Sequence, residues 1–381
     1  SWTNIPHASA FVSGNEPSED KWLKVSVNQV ECRYVKAILV PPATTPATIA
    51  IDEIKIIGEY KTDPKYVPKN GAYHGAFTPI GAWPVNERDG VSGNAVTLFE
   101  SMVGKQISIM LWYQQMTPGR NFAEMKKARE DFWGRDYHGK HRIFIYGWLP
   151  QTKVEPIAQG SLDDYLKSYF EEVAEAQKDP TMEPIWFRPM NEMNGAWTPY
   201  SRDTKNFVRA WRRMYNIAEQ LGLTDYNVFV WSPSSFNSPN TPDNQMKDYY
   251  PGDIYVDWLG VSLYPPSLSA TFPEDTRYPI THMKEFQTVS ADKPVMISEG
   301  GYSGTCDRIR WVREWFQLKT VYPRLKAVIW ENHNGNPDVE GFDRRLQSDP
   351  QALELYKELV KDPYWLDAIP AEVYQEYTKR R

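Results

Sequence analysis

Residues 184–200 read PIWFRPMNEMNGAWTPY, and this stretch decides how the chain is expected to fold. The apolar run Ile185–Phe187 predicts a buried strand of a parallel sheet. Arg188-Pro189 brings that strand to its end, and the carboxylate of Glu192 follows at once. Asn194-Gly195 is typical of a loop. A buried strand that ends in a carboxylate and a loop indicates a functional site at the carboxyl end of a sheet.

Two interpretations of Glu192 are open from the local sequence. Side chains alternate along an extended strand, so Arg188, Met190 and Glu192 are expected on one face. That arrangement suits a catalytic carboxylate beside a guanidinium group. It also suits a structural ion pair between Glu192 and Arg188, which is the alternative.

From Tyr73 onward, short apolar segments alternate with amphipathic ones. Helices are expected at Leu162–Lys178, Lys205–Leu221 (capped by Asp203 or Thr204), Arg308–Lys319 and Gln351–Lys361. Strands are expected at Tyr73–Pro79, Gln106–Trp112, Arg142–Trp148, Ile185–Glu192, Val228–Trp231, Val256–Tyr264, Pro294–Glu299 and Leu325–Trp330. Eight strands alternating with helices predict a (β/α)8 (TIM) barrel of the α/β class. A doubly wound sheet is the alternative, but no Gly-rich nucleotide loop follows the first strand.

The chain before the barrel is rich in β-branched residues. We expect a β-rich segment at residues 1–61, a Pro- and Lys-rich linker at 62–70 and the barrel at 71–381. RYVKAILV (Arg33–Val40) followed by IDEIKIIGEY (Ile51–Tyr60) resembles the closing strands of discoidin-like, carbohydrate-binding sandwich domains. A few strands packed against the barrel are the alternative.

Charge and composition exclude several classes of protein. A net charge of −6 argues against a nucleic-acid or anionic-membrane partner. No apolar run approaches the roughly 18–20 residues of a membrane-spanning helix. Two cysteines, Cys32 and Cys306, do not make a disulfide framework. The chain opens SWTNIPHASA without a signal peptide, so a mature or trimmed chain is expected. We expect a monomer without cofactor or metal that acts outside the cell, with the cell surface or the periplasm as alternatives.

Aromatic residues recur where the predicted strands end. Sugar rings present flat C–H faces that stack on aromatic rings, while their hydroxyl groups bond polar side chains. One Trp at a strand end is more often core than platform, but so many on one rim favour a carbohydrate site. The strand ends carry Trp112-Tyr113, Trp148, Asn191-Glu192, Trp231, Tyr264, Glu299 and Trp330, and Trp83, Trp197 and Tyr200 are expected in loops at the same face.

Two carboxylates are expected on this rim, Glu192 after the fourth strand and Glu299 at the end of the seventh. Glu299 is expected on the same strand face as the residues two and four positions before it. Glycosidic cleavage needs one carboxylic acid of raised pKa and one ionised carboxylate. We expect Arg188 to keep Glu299 ionised and a drier setting near Trp197 to keep Glu192 protonated. A separation of about 5–5.5 Å between the two carboxyl groups is expected for a retaining enzyme.

Four motifs in this order resemble the family 26 glycoside hydrolases, typified by β-mannanases, within the retaining clan A barrels. They are RPMNEMNGAW (Arg188–Trp197), WSP (Trp231–Pro233), YYPGDIYVDWLGVSLY (Tyr249–Tyr264) and ISEGG (Ile297–Gly301). The resemblance implies a (β/α)8 barrel that cleaves β-glycosidic bonds of a polysaccharide with retention.

The same resemblance implies roles for single residues. Glu192 would be the acid/base and Glu299 the nucleophile, with Tyr264 bonded to the nucleophile. Trp197 and Trp330 would form the floor of the cleavage subsite, and Arg188 would orient its neighbours. We also expect Asn191, Tyr200, Trp112, Trp148 and Trp231 to contact the substrate.

The sequence departs from the mannanase pattern at two places. Asn191 stands where these mannanases usually have His, and Asn-Glu is the arrangement of the wider clan, where Asn bonds the sugar 2-hydroxyl. That hydroxyl is axial in mannose but equatorial in glucose, xylose and galactose, so Asn191 weakens the case for mannan. Ser262-Leu263 replaces the family's usual Asp-Gly and is expected to alter the subsites near Tyr264.

Two alternatives come from other classes of protein. A carbohydrate-binding barrel without hydrolysis is disfavoured because both carboxylates are present. A metal-dependent hydrolase is disfavoured because only His138 and His141 lie close together, in a polar loop without the spacing of a zinc site.

Overall fold

A computed structural model describes residues 64–79, 94–133, 142–267, 269, 272–303, 306–334 and 342–381. Within these residues, parallel strands pair in the order β2-β3-β4-β5-β6-β7-β8-β1, and β1 also pairs with β2, so the sheet closes on itself. The predicted (β/α)8 barrel is confirmed. The strands are β1 (Ala72–Phe77), β2 (Ile109–Met116), β3 (Ile143–Pro150), β4 (Trp186–Pro189), β5 (Val228–Trp231), β6 (Trp258–Leu263), β7 (Val295–Gly300) and β8 (Leu325–Glu331), and a short β9 (Trp365–Leu366) adds to β1.

Helices connect the strands and form the outer layer. They are α1 (Asn94–Val103), α2 (Phe122–Trp133), α3 (Glu155–Gln159), α4 (Asp163–Ala176), α5 (Thr204–Gln220), α6 (Pro279–Phe286), α7 (Arg308–Val321), α8 (Pro350–Leu359) and α9 (Ala371–Arg380). The four helices expected from the sequence are confirmed, and Asp203 caps α5 by accepting from the Asn206 N–H. No helix in these ranges has the length and apolar character needed to cross a bilayer.

The segment after the second strand differs from expectation. The second strand was expected to end at Trp112, but β2 continues to Met116 and α2 follows it. The alternation of β2 runs on through polar Gln114 and Gln115, of which Gln114 is buried, so the strand does not end where its apolar run ends.

The core has two layers. The inner layer fills the barrel with alternate strand residues such as Leu111, Trp186 and Ile329, and the outer layer lies between the sheet and the helices. At the amino-terminal end of the strands, Tyr66 and Tyr377 of α9 join the inner layer with their rings 4.6 Å apart, edge to face. With Val373 and Tyr377 in this layer, α9 closes this end of the barrel. The helix expected at Gln351–Lys361 corresponds to α8 in the outer layer.

The first 63 residues lie outside the described part of the chain. The β-rich segment, the linker boundary at 62–70 and the discoidin-like resemblance therefore stay predictions. Trp83, which was expected at the active face, and the histidine pair His138 and His141 also lie outside the described residues.

Candidate active site

Three of the tryptophans expected to contact substrate face away from the barrel interior. Trp148, Trp231 and Trp330 are 1%, 0% and 0% exposed and belong to the outer layer of the core. Trp330, for example, packs between the rings of Tyr302 and Trp315. The prediction that these three rings line the substrate is wrong, because each lies on the helix-facing side of its strand. Trp112 also packs against the outer layer, although part of its ring stays exposed.

The neighbours of these tryptophans point inward instead. On β2 and β3 the inward residues are Tyr113 and Gly147, which pair across the two strands. A Cβ at position 147 would lie 2.3 Å from the Tyr113 ring, so glycine makes room for that ring. Ser232 after β5 and Glu331 at the end of β8 occupy corresponding inward positions, next to Trp231 and Trp330.

Both carboxylates reach the site through breaks in strand alternation. β4 ends at Pro189, and Met190 and Glu192 then adopt left-handed backbone angles, with φ of 51° and 58°. Met190 consequently packs into the outer layer, and the expected shared face of Arg188, Met190 and Glu192 is wrong. The positive φ at Glu192 is a strained conformation for a non-glycine residue and is typical of functional sites.

Glu299 depends on an irregularity in β7. Val295 and Ile297 face the outer layer, so strict alternation would have sent Glu299 outward with them. The pairing register with β8 shifts between Ile297 and Gly300, and that with β6 shifts opposite Val261 and Ser262. The extra residue turns Glu299 to the inside, as β-bulges commonly do next to active sites.

A fully buried guanidinium lies at the centre of the site. Arg188 donates from Nη1 to Glu299 Oε2 at 2.7 Å, from Nη2 to Ser262 Oγ at 2.7 Å and from Nε to Ser232 Oγ at 3.0 Å. Ser232 Oγ in turn lies 2.7 Å from Ser298 Oγ. Burial disfavours the Arg188 charge, but the Glu299 carboxylate holds the pKa of Arg188 above its ordinary value. Arg188 thus ties the ends of β4, β5, β6 and β7 together around one anion.

The two oxygens of Glu299 have different partners. Oε2 accepts from Arg188 and from the Tyr113 hydroxyl. Oε1 lies 3.0 Å from the Tyr264 hydroxyl oxygen, and Tyr264 is the one residue within hydrogen-bond distance of Oε1 in the described part of the chain. The side chain of Glu299 is 9% exposed. Oε1 is therefore the oxygen with the weaker protein bonding and the freer lone pairs.

Glu192 lies in a different electrostatic setting. Removal from water raises its pKa to about 7, the charge of Glu299 acts in the same direction, and Arg188 opposes both. Trp197 Nε1 donates to Glu192 Oε2 at 2.6 Å, and the Ser262 hydroxyl donates to the same carboxylate. A Cβ at position 195 would lie 2.3 Å from the Trp197 ring, so Gly195 lets the indole fold back over the carboxylate.

Trp197 and Tyr200 have contrasting positions. The Trp197 ring is 53% exposed beside Glu192 and can stack on a sugar. Tyr200 is 2% exposed and its hydroxyl donates to the Asn191 backbone oxygen at 2.8 Å. Tyr200 therefore supports the Asn191-Glu192 backbone. Its ring is buried, so the prediction that Tyr200 contacts the substrate is wrong.

Asn191 is buried, and its Oδ1 has no hydrogen-bond partner among the described residues. A buried carbonyl oxygen without a donor is costly, so Oδ1 is a candidate acceptor for a sugar hydroxyl. Asn194, three residues on, is fully bonded by contrast: its side chain bonds Ser234 and Asn237 of the loop after β5. Asn194 thus fixes the loop that carries Trp197.

Sequence reasoning missed a second charged group on the other side of Glu299. Tyr264 donates to Glu331 Oε2 at 2.7 Å, and Arg344 Nη1 lies 3.1 Å from the same oxygen. The Arg344 guanidinium also lies over the Tyr264 ring, 4.2 Å from its centroid. The signal for Glu331 was present, since it directly follows the predicted eighth strand. The predicted strand ended one residue earlier, at Trp330, so Glu331 was not among the predicted site residues. In the described part of the chain, no group of three or more His, Cys, Asp or Glu residues could hold a metal ion.

The raised pKa of Glu192 gives a pH prediction. If Glu192 must be protonated to act, kcat/KM falls as the pH rises through about 7. The Trp197 N–H stabilises the ionised form, so Trp197→Phe should raise the pKa of Glu192 and move the alkaline limb up by about one pH unit. Phenylalanine keeps a ring for stacking, so KM should change less than the profile. An alkaline limb of the kcat/KM profile that stays at the same pH or moves to lower pH would contradict this role of the Trp197 N–H.

Part of the chain is similar to a known family of enzymes. Residues 153–290 match the model of glycosyl hydrolase family 26, a range that includes Glu192 but not Glu299. The predicted resemblance to this family is confirmed.

The curated relatives of this chain carry the names of several kinds of glycanase. The chain is 24% identical over 302 residues to endoglucanase H of Acetivibrio thermocellus, covering 74% of this chain and 30% of that protein. It is 24% identical over 256 residues to the β-1,3-xylanase TXYA of a Vibrio species, covering 58% and 52%. A mannan endo-1,4-β-mannosidase of Bacillus subtilis is 31% identical over 91 residues, covering 21% and 23%. The chain thus spans about half or less of the length of these relatives.

Solved structures of the family have the same fold. The catalytic domain of a Bacillus GH26 endo-β-1,4-mannanase superimposes with a TM-score of 0.58 at 17% identity, covering 80% of this chain and 90% of that one. A GH26 β-mannanase from Bacteroides ovatus gives 0.55 at 18% identity, covering 80% and 93%.

Proposed function

We propose that this protein is a retaining endo-β-glycanase, with Glu192 as acid/base and Glu299 as nucleophile. The observation that carries the proposal is the contrast between the two carboxyl groups at one rim of a family 26 barrel. The pKa of Glu192 is raised to about 7, whereas Glu299 forms an ion pair with a fully buried Arg188. A proton donor and an ionised carboxylate are the two groups that glycoside cleavage requires.

The first step forms a glycosyl-enzyme. Glu299 Oε1, whose partner among the described residues is the Tyr264 hydroxyl, attacks the anomeric carbon while the bond to the leaving oxygen breaks. Glu192 gives its proton to that leaving oxygen, so the aglycone departs as a neutral alcohol. Arg188 and Tyr113 stay bonded to Oε2 and hold the carboxylate in one orientation.

The second step releases the sugar. Glu192, now ionised, takes a proton from a water molecule, and that water attacks the anomeric carbon while the ester bond to Glu299 breaks. Two displacements at one carbon retain its configuration. The charge of Glu299 raises the pKa of Glu192, so esterification of Glu299 removes this effect and makes Glu192 a stronger acid, favouring the ionised form that the second step needs. The carboxyl separation of about 5–5.5 Å stays a prediction of this proposal.

The bound glycan is proposed from two features. Asn191 Oδ1 is buried without a hydrogen-bond partner among the described residues, so it can accept from a sugar hydroxyl. The exposed ring of Trp197 lies beside Glu192 and can stack on a sugar. Asn191 supports a gluco-, xylo- or galacto-configured β-glycan over mannan, and the relatives named as an endoglucanase and a β-1,3-xylanase are in line with this. Polysaccharides of this kind occur outside cells, which supports an extracellular, cell-surface or periplasmic location. A monomer, with no nucleic-acid or membrane partner, stays a prediction.

Release of reducing ends from a polysaccharide panel tests the proposal. The panel contains β-1,4-mannan, mixed-linkage glucan, β-1,4- and β-1,3-xylan, β-galactan and one acidic glycan. Internal cleavage predicts a rapid fall in viscosity before much reducing sugar appears. Cleavage of mannan alone would show that the interpretation of Asn191 is wrong. Binding to a glycan without cleavage of any would favour the alternative, a non-hydrolytic carbohydrate-binding barrel.

Glu192→Gln separates the acid role from a structural one. Turnover of a polysaccharide, which has a poor leaving group, should fall about 10²- to 10⁴-fold, because general acid catalysis contributes that much. An aryl glycoside whose leaving group needs no proton should still form the glycosyl-enzyme rapidly. Equal losses on both substrates would contradict the role of Glu192.

The same variant has an expected effect on stability. The pKa of Glu192 is raised in the folded state, so its contribution to stability is present below about pH 4.5 and is lost as the pH rises to about 7. Glutamine carries no such penalty, and Glu192→Gln should unfold at a higher urea concentration than the parent at pH 8 but not at pH 4. A variant that is less stable at pH 8 would instead support a structural ion pair.

A further inference from the structure

Tyr264 lies between two carboxylates but has one hydrogen to give. Its hydroxyl oxygen is 2.7 Å from Glu331 Oε2 and 3.0 Å from Glu299 Oε1, both within hydrogen-bond distance. Burial raises the pKa of Tyr264 well above its ordinary value, so the phenol keeps its proton. A phenolic O–H can donate to one acceptor in a linear bond. Glu331 and Glu299 therefore compete for the same hydrogen.

Glu331 is held as an anion by its surroundings. Burial opposes its ionisation, yet His333, Arg344 and Tyr264 together lower the pKa of Glu331. Arg344 Nη1 is 3.1 Å from Oε2, and His333 Nδ1 is 3.8 Å from Oε1. Glu299 is ionised as well, so the shorter contact, 2.7 Å against 3.0 Å, is what favours a hydrogen placed on the Glu331 side.

The position of Arg344 strengthens this arrangement. Its peptide N–H donates to the His333 oxygen at 3.1 Å, and its peptide oxygen accepts from Trp330 Nε1 at 3.1 Å. The guanidinium is thereby held over the Tyr264 ring and beside Glu331 at once. Trp330, although no substrate platform, thus supports the residue that pairs with Glu331.

We propose that Glu331 is a positioning residue that draws the Tyr264 hydrogen away from Glu299 Oε1 and so leaves the attacking oxygen without a donor from the described part of the chain. The inference rests on the proposed function for its kinetic consequence, but the hydrogen-bond arrangement itself does not. A carboxylate oxygen freed of a donor is the stronger nucleophile, because hydrogen bonds stabilise its charge. The same arrangement makes Glu299 a poorer leaving group in the second step, so the two steps respond in opposite directions.

Glu331→Gln tests this directional effect. The glutamine amide can donate to the Tyr264 oxygen, which turns the phenolic hydrogen toward Glu299 Oε1. Formation of the glycosyl-enzyme should slow about tenfold, as expected for one added bond to a charged group. Its hydrolysis, followed with an activated aryl glycoside by the steady-state rate after the burst, should not slow. An equal loss in both steps indicates a merely structural role and overturns the proposal.

A double-mutant cycle with Tyr264→Phe tests whether Glu331 acts through Tyr264. Without the phenol, replacing Glu331 with glutamine should change the rate of glycosyl-enzyme formation less than about threefold, so the two changes are not additive. Full additivity contradicts the proposal. Glu354→Gln is the matched control, since Glu354 is an exposed carboxylate paired with Lys357 on α8, and its rates should equal the parent's.

A measurement without substrate separates this inference from the proposed function. With ¹³C-labelled glutamate, the Glu299 carboxyl signal is assigned by its loss in Glu299→Gln. Glu331→Gln should shift that signal at pH 8, and the shift should be absent in the Tyr264→Phe background. An unmoved signal overturns the inference even if the protein is an active glycanase. A moved signal in a protein without glycanase activity sustains the hydrogen-bond arrangement while the proposed function fails.

Glu331→Gln also removes the carboxylate that pairs with the largely buried Arg344, and the loss of this ion pair could prevent folding. In that case Glu331→Gln combined with Arg344→Gln removes both charges together. The rates of the two steps and the Glu299 carboxyl signal are then compared in this double variant, with and without Tyr264→Phe. The charged and titratable groups around Glu331 in the described residues then include Tyr264, Glu299, His333 and Tyr113, which the double variant leaves in place.

Discussion

Glu299→Gln abolishes nearly all turnover if Glu299 is the nucleophile. We expect kcat on a polysaccharide to fall by about 10⁴-fold or more, because the covalent intermediate cannot form. The amide oxygen can still accept from Arg188 and Tyr113, so the fold should survive. Glutamine is preferred to alanine here, since Glu299→Ala leaves the fully buried Arg188 without its partner.

The Glu299 prediction needs a control and a chemical signature. Glu171→Gln, an exposed carboxylate on α4, should leave kcat unchanged. Azide added to Glu299→Ala, where it folds, should restore cleavage of an activated β-glycoside and give the α-glycosyl azide, since one displacement inverts the carbon. Substantial residual rate in Glu299→Gln, after contaminating parent enzyme is excluded, would show that another group is the nucleophile.

Arg188→Met is expected to combine a large loss of stability with a large loss of activity. Methionine fills part of the volume but leaves the Glu299 carboxylate buried without its ion pair, together with Ser232 and Ser262. Breaking one partner of a buried pair costs about 3–5 kcal/mol in free energy of unfolding. Activity should fall more than tenfold, because the carboxylate loses both its orientation and the charge that stabilises it.

Urea unfolding at pH 7 measures the stability part of this prediction. Arg188→Met combined with Glu299→Gln should be less destabilised than Arg188→Met alone, because no unpaired carboxylate remains buried. Arg209→Met, an exposed arginine on α5, should change the free energy of unfolding by no more than about 0.5 kcal/mol. A similar, small loss in Arg188→Met and Arg209→Met would mean that the ion pair with Glu299 contributes little.

The barrel could be predicted because its signals are local. Each apolar strand is short and bounded, and the helices between them repeat apolar residues at three and four positions, as α5 does from Phe207 to Trp211 and Met214. The end of each strand is also a local feature, and in a parallel barrel all those ends meet at one rim. The sequence therefore places Glu192, Glu299 and Tyr264 at the same rim without any knowledge of packing.

The sequence by itself thus determined the number and order of the strands, the end of the barrel that carries the site, and the two carboxylates on it. Only the tertiary structure decided which of two adjacent residues faces inward. Trp148 and Trp330 point to the helices, whereas their neighbours Gly147 and Glu331 point to the site. Along β3 and β8 the side chains alternate regularly, but the packing of the sheet against the helices decides which of the two faces lies inside. In β7 and after β4 the alternation is also broken, by a register shift before Glu299 and by left-handed residues up to Glu192. Those irregularities are stabilised by bonds between distant strands, such as those of Arg188, and no short stretch of sequence contains both partners.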